Sequence, residues 1–144
     1  MKDCSLCLEQ SDNAIHEVFL AVDMVQEMLK GMNPSIIFEL EKYHPKAFRK
    51  MNEHKNDFFS TITKENIERG MREGLYRSDI NADIMSRFRV GTMFMILAPD
   101  MLLSKYNPAV ILREMTENFL FGMATPKGTE LIQQYKQQRL KATQ

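Results

Sequence analysis

The chain has 144 residues, of which 44% are hydrophobic and 26% are charged. This length suits one domain with its own core and is short for two, while the composition excludes an intrinsically disordered segment. Nineteen basic residues balance nineteen acidic residues, which argues against a nucleic-acid surface on this chain, because neutralising phosphates needs a basic excess.

Prolines mark most of the predicted helix starts. Proline is tolerated at the first helical position because its missing N–H would have had no partner there, and a preceding Asn or Thr can cap the turn that follows. Four of the five prolines follow such a residue or a stand-in for one: Asn33-Pro34, His44-Pro45, Asn107-Pro108 and Thr125-Pro126. With further starts at Asn13 and Asn81, the pattern predicts about six helices and no strands, an all-α fold.

The first three predicted helices cover residues 13–30, 34–43 and 45–76. Apolar residues recur at helical spacing in the first and third, and Gly31 is expected to end the first helix in the left-handed conformation. The second helix is too apolar to be solvated, so we expect it to lie across its neighbours. Gly70 and Gly74 are expected either to pack closely or to be exposed, and to weaken the last turns of the third helix by up to about 1 kcal/mol each.

The last three predicted helices cover residues 82–98, 108–123 and from 126 onwards. Asn81 is expected to cap the first of these, with Ile80 packing on Met85. The second half of the helix at 82–98 is apolar nearly all round, and the last two turns of the helix at 108–123 are more apolar than one packing contact requires. Either both faces of these helices are buried within one chain, or one face meets a partner, most simply a second copy. The candidate interface residues are Phe94, Leu97, Ile111, Met115, Phe119 and Gly122. The last helix is mostly polar, with a narrow apolar stripe for docking.

Methionine and phenylalanine side chains could line a cavity between these helices. The chain has twelve methionines and no tryptophan, and methionine adapts to irregular space or to a guest molecule. His54 falls between two apolar positions and could add a polar contact, although an exposed histidine fits the same pattern. An ordinary core remains the alternative for the whole set: Met24, Met28, Phe38, Met51, His54, Phe58, Phe59, Phe88 and Met95.

Motifs for catalysis, metal binding and secretion are lacking in the sequence. There is no HExxH, no Gly-rich phosphate loop and no nucleophile elbow, so we predict no catalytic residues and no enzyme activity. Cys4 and Cys7 form a lone C-x2-C without a second half, which predicts no metal site and no cofactor. No apolar run reaches the roughly 20 residues of a membrane span and no signal peptide is evident, so we expect a cytoplasmic protein without a membrane partner.

Two segments resemble the C-terminal domain of TetR/AcrR-family transcriptional regulators. They are IERGMREGLYRSDIN at 67–81 and FLFGMATPKG at 119–128. In that family a long helix ends in a Gly-rich, Arg-containing turn before an Asp-Ile-Asn start, and a late helix ends in an apolar-Gly-x-Ala-Thr-Pro-x-Gly segment. The matching positions are Gly70, Gly74, Arg77, Asp79, Ile80 and Asn81 in the first segment, and Gly122, Ala124, Thr125, Pro126 and Gly128 in the second.

This resemblance implies a helical effector-binding and dimerisation domain of a repressor. Helices 82–98 and 108–123 would pair across a two-fold axis in a four-helix interface, and the preceding helices would enclose a small hydrophobic or amphipathic effector. The family binds DNA through an N-terminal helix-turn-helix domain that does not precede Met1 in this sequence, so we expect no operator binding by these residues alone. The alternative is a helical protein–protein interaction or dimerisation module without a small-molecule ligand.

Overall fold

The structure, a computed structural model, describes residues 8–31, 33–96, 98–102 and 104–142. Within these ranges the chain is all helical, apart from a single antiparallel bridge between Tyr76 and Ala124. This confirms the predicted all-α class. No helix in the described ranges has both the length and the apolar character needed to cross a bilayer. The helices are α1 (Ala14–Lys30), α2 (Pro34–Tyr43), α3 (Pro45–Arg72), α4 (Ala82–Met95), α5 (Pro99–Leu102), α6 (Pro108–Met123) and α7 (Pro126–Ala142).

The predicted helix starts are confirmed, and most carry a side-chain cap. A side-chain oxygen accepts a hydrogen bond from a first-turn N–H at Asn13, Asn33, Asn81 and Asn107. Each such bond satisfies one of the N–H groups that a helix start leaves without a partner. His44 makes no such bond, and α3 begins there with Pro45 at its first position.

One predicted helix end is wrong, and so is the backbone conformation expected at Gly31. The long helix ends at Arg72 and not at Tyr76, because Gly74 adopts the left-handed conformation with φ 73°. The N–H groups of Leu75 and Tyr76 then turn back to the carbonyl of Gly70. Gly74 therefore stops the helix from outside it and does not weaken its last turn. Gly31 has φ −93° and not the expected left-handed value, since its N–H continues to donate to carbonyls of the last turn of α1.

The helix predicted at 82–98 ends three residues early, and a separate short helix follows it. The structure ends α4 at Met95, turns at Ile96 and starts α5 at Pro99. The N–H of Ala98 bonds to the carbonyl of Met95, which is a turn of three residues in place of a continued α-helix. Proline at position 99 favours this break, because the residue before a proline is disfavoured in the helical conformation.

The buried residues form two clusters. The main core joins α1, the C-terminal end of α3, α6 and α7, and consists of Ala14, Ile15, Phe19, Ile67, Leu75, Tyr76, Phe119, Leu120, Met123 and Ile132. A smaller core, formed by Val22, Ile96, Ile111 and Leu112, lies between α1, α6 and the end of α4. Ile80 and Met85 both pack against the main core, as do Leu131 and Tyr135 of α7, so the predicted docking stripe of the last helix is confirmed.

Helix α2 is less completely buried than its apolar composition predicts. It contacts α3, which agrees with the expected position across a neighbour. Phe38 and Leu40 are half-buried, whereas Ile36 is exposed. Part of its apolar surface is therefore left uncovered by the residues that the structure describes.

The two segments that resemble the regulator family meet in space, at what is here called the turn junction (residues 73–77 and 123–128). The N–H of Arg77 donates to the carbonyl of Met123 over 2.8 Å, and the N–H of Thr125 donates to the carbonyl of Leu75 over 3.0 Å. The Thr125 hydroxyl donates to the carbonyl of Gly74. Residues separated by about fifty positions are thus held by backbone hydrogen bonds.

Glycines make the close approach at the turn junction possible. A Cβ atom at Gly128 would overlap the backbone carbonyl oxygen of Leu75, and one at Gly70 would overlap the ring of Tyr76. The expectation that Gly70 allows close packing is therefore confirmed. The fold depends on bare backbone at both points.

Candidate ligand pocket and exposed helix face

A pocket of about 100 Å³ lies between α1, α3, α4 and α6. Its wall is mainly apolar, with a few polar groups, which is the usual composition of a small-molecule site. It lies beside both cores, since Val22 and Leu112 of the smaller core and Phe119 of the main core all reach it. The lining residues are Glu17, Val18, Ala21, Val22, Met24, Val25, Phe59, Ile62, Thr63, Asn66, Arg89, Met93, Leu112 and Phe119.

Arg89 is the decisive polar residue of this pocket. It is only 5% exposed although it carries a guanidinium group. Its Nη2 donates to the hydroxyl of Thr116 over 2.8 Å, and the guanidinium carbon lies 5.1 Å from the centre of the Phe119 ring. Its Nη1 has no hydrogen-bond partner, and it is the one buried side-chain nitrogen or oxygen in this condition among the described residues. A residue that lines the pocket therefore has a strong buried donor without an acceptor.

The charge of Arg89 persists in its buried position. Burial lowers its pKa from 12.5 to about 10, and the nearby Tyr76 hydroxyl has a smaller opposing effect. At neutral pH the guanidinium is therefore still protonated. None of the ion pairs found in the described part of the chain involves it. The pocket wall thus contains a cation without a counter-charge.

Two other polar residues at the wall, Glu17 and Asn66, have partners within the chain. Glu17 is buried and its carboxylate pairs with Arg69 at 3.1 Å. Asn66 donates to the carbonyl of Ala14 and accepts from the hydroxyl of Tyr76 over 3.1 Å. Burial raises the pKa of Tyr76 well above its ordinary value, with the negative charge of Glu17 as the next cause, so this hydroxyl stays protonated. Arg89 differs from these neighbours because its Nη1 donor has no acceptor.

Two of the nine predicted pocket residues line this pocket, namely Met24 and Phe59. Phe58 packs edge-on against Phe59 with ring centres 5.5 Å apart, but it is outside the wall. Phe38 and Met51 are half-buried and also lie outside it. The structure leaves the remaining four exposed, which are Met28, His54, Phe88 and Met95.

The predicted interface residues are distributed between the interior and the surface. Ile111 and Phe119 are buried in the two cores, and Met115 is half-buried against the smaller one. The ring of Phe94 lies 6.0 Å from that of Phe59, so it packs inward within this chain. Gly122 is exposed, and Leu97 lies outside the described residues.

Helix α4 exposes a different apolar face, here called the α4 stripe (Ile84, Phe88, Gly91 and Met95). Ile84 is 62% exposed, Phe88 55% and Met95 52%. Their spacing places them along one side of the helix, while Ser86, Arg89 and Val90 are buried on the other side. A Cβ at Gly91 would meet nothing within 4 Å. The α4 stripe is therefore open along its length.

Sequence reasoning missed Arg89 because it chose the wrong face of α4. It placed Phe88 and Met95 in the pocket, and the structure exposes both side chains. The useful signal was an arginine between two apolar residues, at a helical spacing that places it on the same face as Ser86 and Met93. An ionisable residue on a buried helix face is rare enough to mark a candidate site.

Comparison with known proteins identifies no relative. No protein-family model, no curated protein and no solved structure matches this chain. In the described ranges, no three His, Cys, Asp or Glu residues lie close enough together to hold a metal ion. Cys4 and Cys7 lie outside those ranges.

Proposed function

We propose that this chain is the effector-binding and dimerisation domain of a TetR-type transcriptional repressor. In this proposal a small ligand occupies the pocket, two copies associate, and the ligand alters the DNA binding of a helix-turn-helix domain of the complete regulator. The function is one of binding, with no catalytic step, and it would be carried out in the cytoplasm. The resemblance at 67–81 and 119–128 supports the choice of family, and the pocket contains the residues on which the proposal depends.

One observation carries the proposal, namely the apolar pocket with the buried donor of Arg89 at its wall. A core that served packing alone would have no reason to retain an unpaired guanidinium, because leaving a buried charged donor unsatisfied costs more than about 1–3 kcal/mol. A ligand that accepts a hydrogen bond from this donor would offset that free-energy cost. Unsatisfied buried groups in folded proteins are for this reason good candidates for functional sites.

The α4 stripe supports the second half of the proposal, association of two copies. Soluble monomers rarely expose several large apolar residues along one helix face. Gly91 lies in the middle of the α4 stripe, and Gly122 of α6 is likewise exposed with open space around it. Small residues at both positions allow two helices to approach closely. We therefore assign α4 and α6 to a two-fold interface, with Phe88 and Met95 in place of Phe94 as its apolar contacts.

Helix α4 also offers a physical route from ligand to partner. Arg89 and Met93 face the pocket, and Phe88 and Met95 lie on the α4 stripe, on the other side of the same helix. A ligand that binds more tightly to one orientation of α4 would shift the population towards that orientation. In a dimer joined through the α4 stripe, the same shift would change the relative position of the two copies.

The dimer is tested by sedimentation equilibrium of the wild type and of two matched variants. Phe88→Glu introduces a charge on the α4 stripe, and Ile36→Glu introduces the same charge at an equally exposed isoleucine on α2. We expect a dimer for the wild type and for Ile36→Glu, and a monomer for Phe88→Glu. A wild-type monomer at every concentration, or equal weakening by both variants, would refute the assigned interface.

Ligand entry is tested with toluene, a small neutral apolar probe. Methionine labelled with ¹³C at the methyl group gives separate NMR signals for Met24 and Met93, which line the pocket, and for Met28 and Met95, which are exposed. We expect toluene to shift the first pair and to leave the second pair unchanged. Shifts at the exposed pair alone would mean surface binding and would contradict a pocket function.

The pocket volume favours a second candidate, a dimerisation module without a ligand. At about 100 Å³ the pocket is smaller than the roughly 300–1,000 Å³ of most ligand sites. The proposed function requires the flexible side chains of Met24 and Met93 to make room for a guest. A stable dimer in which no probe reaches either methionine would establish the second candidate.

A further inference from the structure

We propose that the effector is a monoanion, a small apolar body bearing one carboxylate, and that the carboxylate binds Arg89. This inference rests on the proposed function and names the ligand class of the same pocket. It depends on three observations about Arg89: its burial, its unused Nη1 and its place at the pocket wall.

The guanidinium is held in a fixed position before any ligand arrives. Thr116 accepts from Nη2, and the Phe119 ring lies against the guanidinium. Both contacts come from α6, while Arg89 itself is on α4, so the group is fixed between two helices. Nη1 is left to donate, and a planar guanidinium presents its donors in the geometry that a carboxylate accepts.

Charge favours an anion over a neutral acceptor. A buried cation without a counter-charge is unfavourable, and an anion in direct contact relieves the penalty more than an uncharged oxygen can. The nearest candidate within the wall is Glu17, but its carboxylate is already paired with Arg69 at 3.1 Å. A carboxylate on the ligand would supply the missing counter-charge.

Charge also limits the ligand to one negative charge. Glu17 contributes a second carboxylate to the same wall, and it would repel further negative charge on the ligand. A phosphate dianion would face that repulsion with a single unpaired cation to offset it. The rest of the wall, with Val22, Met24 and Leu112, is suited to an apolar body.

The test compares benzoate with benzamide, two molecules of nearly the same shape that differ in charge. Binding is followed by isothermal titration calorimetry, and the ¹³C methyl signals of Met24 and Met93 report whether the probe enters the pocket. Because hydrogen bonds to charged groups are stronger than neutral ones, we expect benzoate to bind about 10-fold or more tightly than benzamide. Both probes should shift the two pocket methionines.

Three variants assign the difference to Arg89. Arg89→Leu should weaken benzoate binding by roughly 10-fold to 100-fold and change benzamide binding by less than about 3-fold. Arg89→Lys keeps the charge but loses the planar pair of donors, so its benzoate affinity should be intermediate. Arg87→Leu is the matched control, because Arg87 is exposed and pairs with Asp83 on the same helix, two positions from Arg89. It should bind both probes as the wild type does.

The possible failures separate this inference from the proposed function. If benzamide binds in the pocket as tightly as benzoate, or if Arg89→Leu weakens both equally, the pocket binds ligands without a preference for an anion, and only this inference is refuted. If neither probe, nor toluene, shifts Met24 or Met93, the effector-binding function is refuted as well. Equal loss in Arg87→Leu and Arg89→Leu would mean that general electrostatic attraction, and not Arg89, governs benzoate binding.

Discussion

The turn junction and the pocket satisfy their polar groups in different ways. At the turn junction, Arg77 and Thr125 bond to the backbone across the contact, and Glu73 accepts from the N–H of Ala14. At the pocket, Arg89 keeps one donor without a partner. The first region is closed by its own chain, whereas in the second one donor of Arg89 has no acceptor among the described residues.

This difference indicates which part of the molecule is scaffold and which part can change. Backbone hydrogen bonds and glycine contacts at the turn junction leave no room for another arrangement. The pocket is lined in part by the unbranched methionines Met24 and Met93, so its wall can adjust around a guest. We therefore expect substitutions at the turn junction to affect stability, and substitutions at the pocket to affect binding.

Gly128→Ala should have the largest effect on stability. Its Cβ would overlap the carbonyl oxygen of Leu75, which is backbone and cannot rotate away, so we expect a loss of about 3 kcal/mol in the free energy of unfolding. Urea denaturation measures it. Gly31→Ala is the control, since nothing lies within 4 Å of its Cβ position and its φ is −93°. An equal loss of unfolding free energy in the two variants would show that the turn junction is loosely packed.

Tyr76→Phe should be the next most damaging change. It removes the hydroxyl that donates to Asn66 over 3.1 Å and leaves a buried acceptor unsatisfied, at a cost of about 2 kcal/mol. The ring itself is retained against Gly70, so the packing is unchanged. Denaturation of the double variant Tyr76→Phe with Asn66→Leu should show less than the sum of the single losses, because the two side chains interact. Additive losses would contradict the contact.

Alkaline pH should lower the stability of the folded protein, because Tyr76 is buried. Because its pKa is raised in the folded protein, the unfolded chain loses this proton first, and stability falls as pH rises above about 10. The expected slope is up to about 1.4 kcal/mol per pH unit. Arg89, whose pKa is lowered to about 10, acts in the opposite direction, so the comparison is made against Tyr76→Phe. The difference in stability between wild type and variant should shrink above pH 10; a constant difference would refute the prediction.

Arg89→Leu should produce the smallest change in stability of these substitutions, and the change should be an increase. Removing a buried cation that lacks a counter-charge should raise the stability of the ligand-free protein by about 1 kcal/mol. Arg87→Leu, which removes an exposed ion pair, should stay within about 0.5 kcal/mol of the wild type. Thermal unfolding of the three proteins compares them directly. A marked loss of stability in Arg89→Leu would mean that this arginine is a structural residue and would remove the contrast with the turn junction.

The sequence predicted those features that depend on neighbouring residues. The caps at Asn13, Asn33, Asn81 and Asn107 are local signals, and so are the four predicted proline starts. All of them are confirmed. Met24 and Phe59 were found because apolar residues on inward helix faces are common in pocket walls. The close contact at Gly70 was also anticipated, although its partner, Tyr76, was not.

The features that sequence reasoning missed depend on packing between distant segments. Gly74 takes a left-handed conformation where the chain turns back to meet Thr125, and nothing within α3 signals that encounter. The orientation of α4 is set by contacts with α3 and α6, and a helix that is apolar on two sides fits either way round. For this reason Phe88 and Met95 were assigned to the pocket, and Arg89 was overlooked.

A native mass spectrum of the purified chain tests the central claim most directly, because it reports the number of subunits and any retained small molecule together. We expect a dimer, and we expect added benzoate to appear as extra mass on it. A monomer at every concentration, with no extra mass after incubation with benzoate or benzamide, would contradict both the interface on the α4 stripe and the pocket at Arg89.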